Sequence, residues 1–144
     1  MSTTILRWLA VLCFALLGLA GCATISDYDQ VSYQNATSLK VDTLALIDKS
    51  SGSYAAHEQD IAAVTLELDK AYEYDNGRPL NTITMDMWNE LRARYDAFLA
   101  DWKRKGSFNQ TAIRDYKVGY SGDAGISALF DRIIKLESGK NKPD

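Results

Sequence analysis

The segment TMDMWNELRARYDAFLADWKRKG, residues 84–106, decides the fold. Its large apolar side chains Trp88, Leu91, Tyr95, Phe98 and Trp102 follow one another at intervals of 3, 4, 3 and 4 residues. At 3.6 residues per turn this spacing puts them on one stripe, the mark of a helix with one buried side. Leu99 widens the stripe. Lys103, Arg104 and Lys105 fill the last turn, where the helix dipole favours cations, and Gly106 stops it. Asn81, Thr82 or Thr84 caps the start. The pattern predicts a helix over 84–105.

Working outward, Tyr54, His57, Ile61, Val64, Leu68 and Ala71 repeat at 3, 4, 3, 4 and 3, a narrow packing seam that Tyr72 extends on one flank. The spacing predicts a second helix over 54–75, with Ser53 as its N-cap after the break Ser50-Ser51-Gly52. It ends at Asp75-Asn76-Gly77-Arg78-Pro79, with Asn76 or Gly77 expected in the left-handed conformation. A helix is also expected over 27–49, with Asp27 as its cap. Its broad face holds Tyr28, Tyr33, Ala36, Leu39, Thr43, Leu44, Leu46 and Ile47, while Asp29 and Lys40 intrude. Phe108, Ile113 and Tyr116 suit a short helix. Ser121-Gly122-Asp123 is expected to start a last helix, running to about Glu137 and carrying Ile126, Leu129, Phe130, Ile133, Ile134 and Leu136. No segment alternates as a strand does. Three helices of about 22 residues span about 33 Å each. Short connections make neighbours antiparallel. The expected class is all-α: an up-and-down bundle of three long helices plus a shorter helical C-terminal portion, over 27–139. Residues 140–144 are expected to fray.

The N-terminus has a different character. Arg7 is its only charge, and Leu9 to Ala20 is an uncharged apolar run. Crossing a bilayer takes about 20 apolar residues. A shorter run after a basic start suits a secretory signal. Leu19-Ala20-Gly21-Cys22 resembles the lipobox of bacterial lipoproteins. The resemblance covers the signal region alone. It implies that the Gly21–Cys22 bond is cut and that Cys22 carries a diacylglycerol and an N-acyl chain, with residues 1–21 removed. Two or more acyl chains anchor a protein stably where one does not. Ala23 follows the cysteine, and the absence of aspartate there implies the outer membrane, with the protein facing the periplasm. Residues 22–26 form a short tether that reaches about 17 Å when extended.

Removing 21 of 144 residues leaves 123, enough for one domain with a continuous core. Arg7 is the one charge lost, so 15 basic residues face 19 acidic ones, a net charge of −4. That balance argues against a nucleic-acid partner. Cys13 leaves with the signal and Cys22 is taken by lipid, so no disulfide, thiolate nucleophile or soft metal site is expected. His57, the lone histidine, sits beside Glu58 and near Asp60. A zinc site wants three or four ligands and a dinuclear carboxylate bundle wants two Glu-x-x-His motifs, and neither set is present. Glu73-Tyr74-Asp75-Asn76-Gly77 fails the calcium-loop pattern, because tyrosines fall where oxygen ligands belong. No Gly-x-Ser-x-Gly or phosphate-binding glycine motif occurs. No metal, no non-lipid cofactor and no enzymatic activity are expected.

Aromatic residues are in excess. Most belong to the core by spacing, but Tyr72 and Tyr74 leave the second helix on different faces, with Arg78 and Pro79 just beyond. Tyrosine and arginine are common interface anchors, so Tyr72, Tyr74 and Arg78 form a candidate partner patch. The function read from these features is protein binding: a lipid-anchored adaptor or accessory subunit of an envelope complex. The alternative is a small-ligand binding or sensing module with an aromatic pocket between helices. The second helix's seam also leaves room for a second copy of the chain.

Overall fold

The computed structural model describes residues 25–141. The lipobox residues Leu19 to Cys22, the Gly21–Cys22 bond and residues 142–144 lie outside the described residues. The described chain is all-α apart from one very small hairpin. Its helices are α1 (Gln30–Lys49), α2 (Glu58–Asn76), α3 (Thr82–Lys105), α4 (Gln110–Val118) and α5 (Ile126–Gly139). None is long and apolar enough to cross a membrane.

Local chemistry sets each boundary. Asp29, not Asp27, caps α1: its backbone is extended and its carboxylate accepts the Ser32 N–H at 2.8 Å. Residues Tyr54–His57 form one 3₁₀ turn, and the α-helix begins only at Glu58, with Glu58 and Asp60 at its positive end. Ser53 precedes the turn without a side-chain cap bond. At the far end of α2, neither Asn76 nor Gly77 is left-handed. Gly77 stays right-handed at φ −75°. Its N–H reaches Glu73 O and the Arg78 N–H reaches Asp75 O, so the final carbonyls are satisfied without a reversal there. The reversal falls on Leu80, at φ 56°.

The stripe that opened the sequence reading is buried in full, and α3 starts two residues earlier than its periodicity implied. Asn81 occupies the N-cap position but makes no cap bond, because its side chain is engaged elsewhere. Gly106 takes φ 82° and its N–H closes on Trp102 O at 2.8 Å. Asn109 caps α4 through Ala112 N–H. Residues 119–124 correct the sequence reading. Gly119–Tyr120 pairs antiparallel with Asp123–Ala124, and Ser121 and Gly122 both take positive φ. Two such residues make the two-residue hairpin turn that matches strand twist. They cannot start a right-handed helix, so α5 waits until Ile126.

Two helices, α1 and α5, each pack against two of the others, with α1 lying on both α2 and α5. Helix α5 lies against both α1 and α3, while the sequence neighbours α2 and α3 touch each other less. Ile126, Leu129, Phe130 and Ile133 are all buried, as are the α3 stripe, Leu46 and Ile47 of α1, and Leu68 and Ala71 of α2. The shortest of these four helices therefore joins α1 to α3, while α2 packs chiefly on α1.

Candidate functional site

The buried stripes do not stay apolar to their ends. Ser32 lies on the buried face of α1, four residues before Ala36. Asp75 lies on that of α2, four residues after Ala71. Glu137 lies on that of α5, four residues after Ile133. Packing brings these three polar positions to one end of the molecule, where the chain enters from residue 25.

Asp75 is 1% exposed and fully partnered. Its Oδ1 accepts the Ser32 hydroxyl at 2.6 Å and Arg78 Nη1 at 3.2 Å, and its Oδ2 accepts the Trp88 indole N–H at 2.6 Å. Its backbone carbonyl takes Asn81 Nδ2 at 2.9 Å. Glu137, equally buried, accepts the Asp29 backbone N–H at 2.7 Å and Arg78 Nη2 at 3.3 Å on Oε1, and Lys140 Nζ at 2.6 Å on Oε2. Lys140 also donates to the Ser26 hydroxyl at 2.7 Å, which in turn donates to Asn81 Oδ1 at 2.8 Å. Lys140 was expected in a frayed tail; its side chain is instead 3% exposed.

Two carboxylates and two cations thus share one largely buried cluster. Burying a charge is costly unless it is paired and hydrogen-bonded. Here every carboxylate oxygen has a partner. Burial works against the Arg78 charge, but its bonds to Glu137 and Asp75 outweigh that and raise its pKa. Asp29 is held below the usual carboxylate range, chiefly by the Ser32 N–H, with help from the Tyr74 hydroxyl. That same bond to Asp29 raises the Tyr74 pKa.

The cluster's work is to fasten the incoming chain. Ser26 N–H bonds Leu80 O at 2.9 Å, Ser26 Oγ bonds Asn81, Asp27 O accepts from Arg78, and Asp29 N–H bonds Glu137. Three successive stations of the N-terminal segment are therefore fixed to the α2–α3 loop and to the end of α5.

Of the expected patch, the structure brings Tyr74 and Arg78 together around Asp29. Arg78 faces inward, its side chain 13% exposed. Tyr72 does not join them. Its ring lies beneath Arg92 at 4.7 Å, and its hydroxyl reaches Asn89 on α3 at 3.0 Å. His57 is half-buried, 3.1 Å from Asp60 Oδ2, with its ring 5.8 Å from that of Trp102. No group of three His, Cys, Asp or Glu side chains suited to a metal occurs among the described residues. The core aromatics pack on one another in tilted and edge-on pairs: Phe98 contacts Trp102, Phe108 and Tyr116 at centroid distances of 5.6, 6.1 and 5.3 Å.

Sequence reasoning missed Ser26, Ser32, Asp75, Glu137 and Lys140. A signal existed: Asp75 and Glu137 are charged residues at core-stripe positions, which only a partner makes tolerable. No protein-family model, curated protein or solved structure matches the chain significantly.

Proposed function

We propose that this chain is a lipid-anchored protein of the bacterial envelope, carried on the outer membrane and facing the periplasm. In this reading Cys22 bears the diacylglycerol and N-acyl chain after cleavage at Gly21–Cys22, and the three long helices run alternately up and down. The protein acts by binding another protein, as an adaptor or accessory subunit of an envelope complex, and not by catalysis. The observation that carries the reading is the fastening of residues 26–29. Three residues lie between Cys22 and Ser26, at most about 15 Å of chain from one to the other. A domain bonded at Ser26, Asp27 and Asp29 has almost no free linker. It would hold a fixed distance and orientation at the membrane, which suits presentation of one face to a partner. Tyr74, 39% exposed beside the cluster, remains available to such a partner.

The test is in-cell crosslinking of the full-length protein followed by affinity purification, with Cys22→Ala as the control. One protein enriched with the lipidated form and lost with Cys22→Ala is the expected result. Full function from Cys22→Ala would overturn the anchored reading. Self-crosslinking alone would identify a second copy as the partner.

A further inference from the structure

Beside the fastened segment lies an open groove of about 570 Å³. Ile25, Met87 and Leu136 form its apolar floor, and Arg132 and Lys135 line it with cations and no carboxylate; Lys140 borders it with its ammonium turned into the buried cluster. Arg132 shares its charge with Glu90 and Lys140 with Glu137, while Lys135 is exposed. The apolar surface continues past the groove. Ile83, 46% exposed, stands one turn before Met87 on α3, so the two share a side of that helix. Leu80, 53% exposed, is bonded through its carbonyl to Ser26, the neighbour of Ile25. It also holds φ 56°, a conformation bulky residues rarely adopt. A leucine kept out of the core in a disfavoured conformation, next to an exposed isoleucine and an apolar groove, needs an apolar environment from outside.

Position identifies that environment. Ile25, in the groove, follows Cys22 by three residues. We infer that Leu80, Ile83 and the Ile25–Met87–Leu136 groove form the face that seats on the phospholipid leaflet holding the Cys22 lipid, with Lys135 and Arg132 set against anionic headgroups. This rests on the anchored reading above and adds to it which side of the bundle meets the membrane. Apolar side chains at the headgroup boundary with basic residues around them are the usual chemistry of interfacial binding.

The experiment uses the full-length, lipidated protein in vesicles of phosphatidylethanolamine and phosphatidylglycerol. Single cysteines at exposed positions, Leu80→Cys and Ile83→Cys, carry an environment-sensitive fluorophore; Val41→Cys and Val118→Cys serve as controls, being 67% and 62% exposed in the parent. Intact mass first reads the lipid on Cys22. The expected result is a blue shift and quenching by spin-labelled lipid at positions 80 and 83, with neither at 41 and 118. Lys135→Ala should lower the seated fraction about fivefold in these anionic vesicles. A protein without lipid overturns the anchored reading and this one with it. A lipidated protein that is unquenched at 80 and 83, equally quenched at all four positions, or indifferent to Lys135→Ala overturns the seating alone.

Discussion

Asp75 carries more of this molecule's organisation than any other single side chain. It takes hydrogen bonds from α1 through Ser32, from α3 through Trp88 and from the loop through Arg78, while its carbonyl holds Asn81. Removing it leaves a buried indole N–H and a hydroxyl without their acceptor and takes from Arg78 one of its two carboxylates. Asp75→Ala should therefore lose about 3–5 kcal/mol of stability, the range for breaking a buried pair by deleting one partner. Asp75→Asn, which keeps the shape and one acceptor, should lose less. Urea unfolding of the three proteins checks both. The same change should loosen residues 26–29, read as faster amide exchange at Ser26 and Asp29. The sequence shows Asp75 seven residues beyond Leu68 and four beyond Ala71, at a core position. It does not show the partners, because Ser32 is 43 residues away and Trp88 is 13.

At the scale of elements, capping and periodicity account for most boundaries, and the exceptions have local causes. The α3 stripe is legible because five large side chains repeat with no polar interruption. The link into α5 is not, because Ser121-Gly122-Asp123 reads equally as a helix start or as a turn. Backbone contact decides it. Gly119 adopts φ 97° and ψ 165°, a region open in practice only to glycine, and a Cβ there would run into the Asp123 carbonyl. Gly125 faces it across the hairpin, where a Cβ would strike Val118, Gly119 and the Lys117 carbonyl. Gly119→Ala should cost about 1–3 kcal/mol. The loss should begin at the hairpin and the first turn of α5, measured as earlier exchange at Ala124 and Ile126 than at Leu91. Gly122→Ala, whose Cβ meets nothing within 4 Å, tests positive φ without the clash and should cost less.

For the whole molecule, the far half of the bundle is held by aromatic contact where the chain-entry end is held by charge. Tyr95 is 1% exposed, with its hydroxyl 3.0 Å from Thr65 Oγ1, and burial pushes its pKa up to about 12. Tyr116 stacks on Phe108, meets Phe98 edge-on and donates to Asp101 at 2.8 Å; burial first, then that bond, pushes its pKa up to about 12. Tyrosines in the unfolded chain ionise near pH 10. Between about 10 and 12 the unfolded state binds fewer protons than the folded one, so stability falls as pH rises. The contribution is intact below that window. Thermal melts at about pH 9 and about pH 11 should show a marked drop, and Tyr95→Phe with Tyr116→Phe should flatten it. The loss should be global, since these rings join α3 and α4 to the loop that precedes α4.

The sequence by itself determined the helical class, the buried stripe of α3, most of the seam of α2 and the apolar positions of α5. Each is set by neighbours within one or two turns, and helical period is a local property. Only the tertiary structure decided that α5 is packed between α1 and α3, that Leu80 and not Asn76 or Gly77 reverses the chain, and that Arg78 turns inward. It alone brought Ser26, Ser32, Asp75, Glu137 and Lys140 together. A charged residue on an apolar stripe announces that it must be paired, but the pairing is fixed by which helix ends packing places side by side.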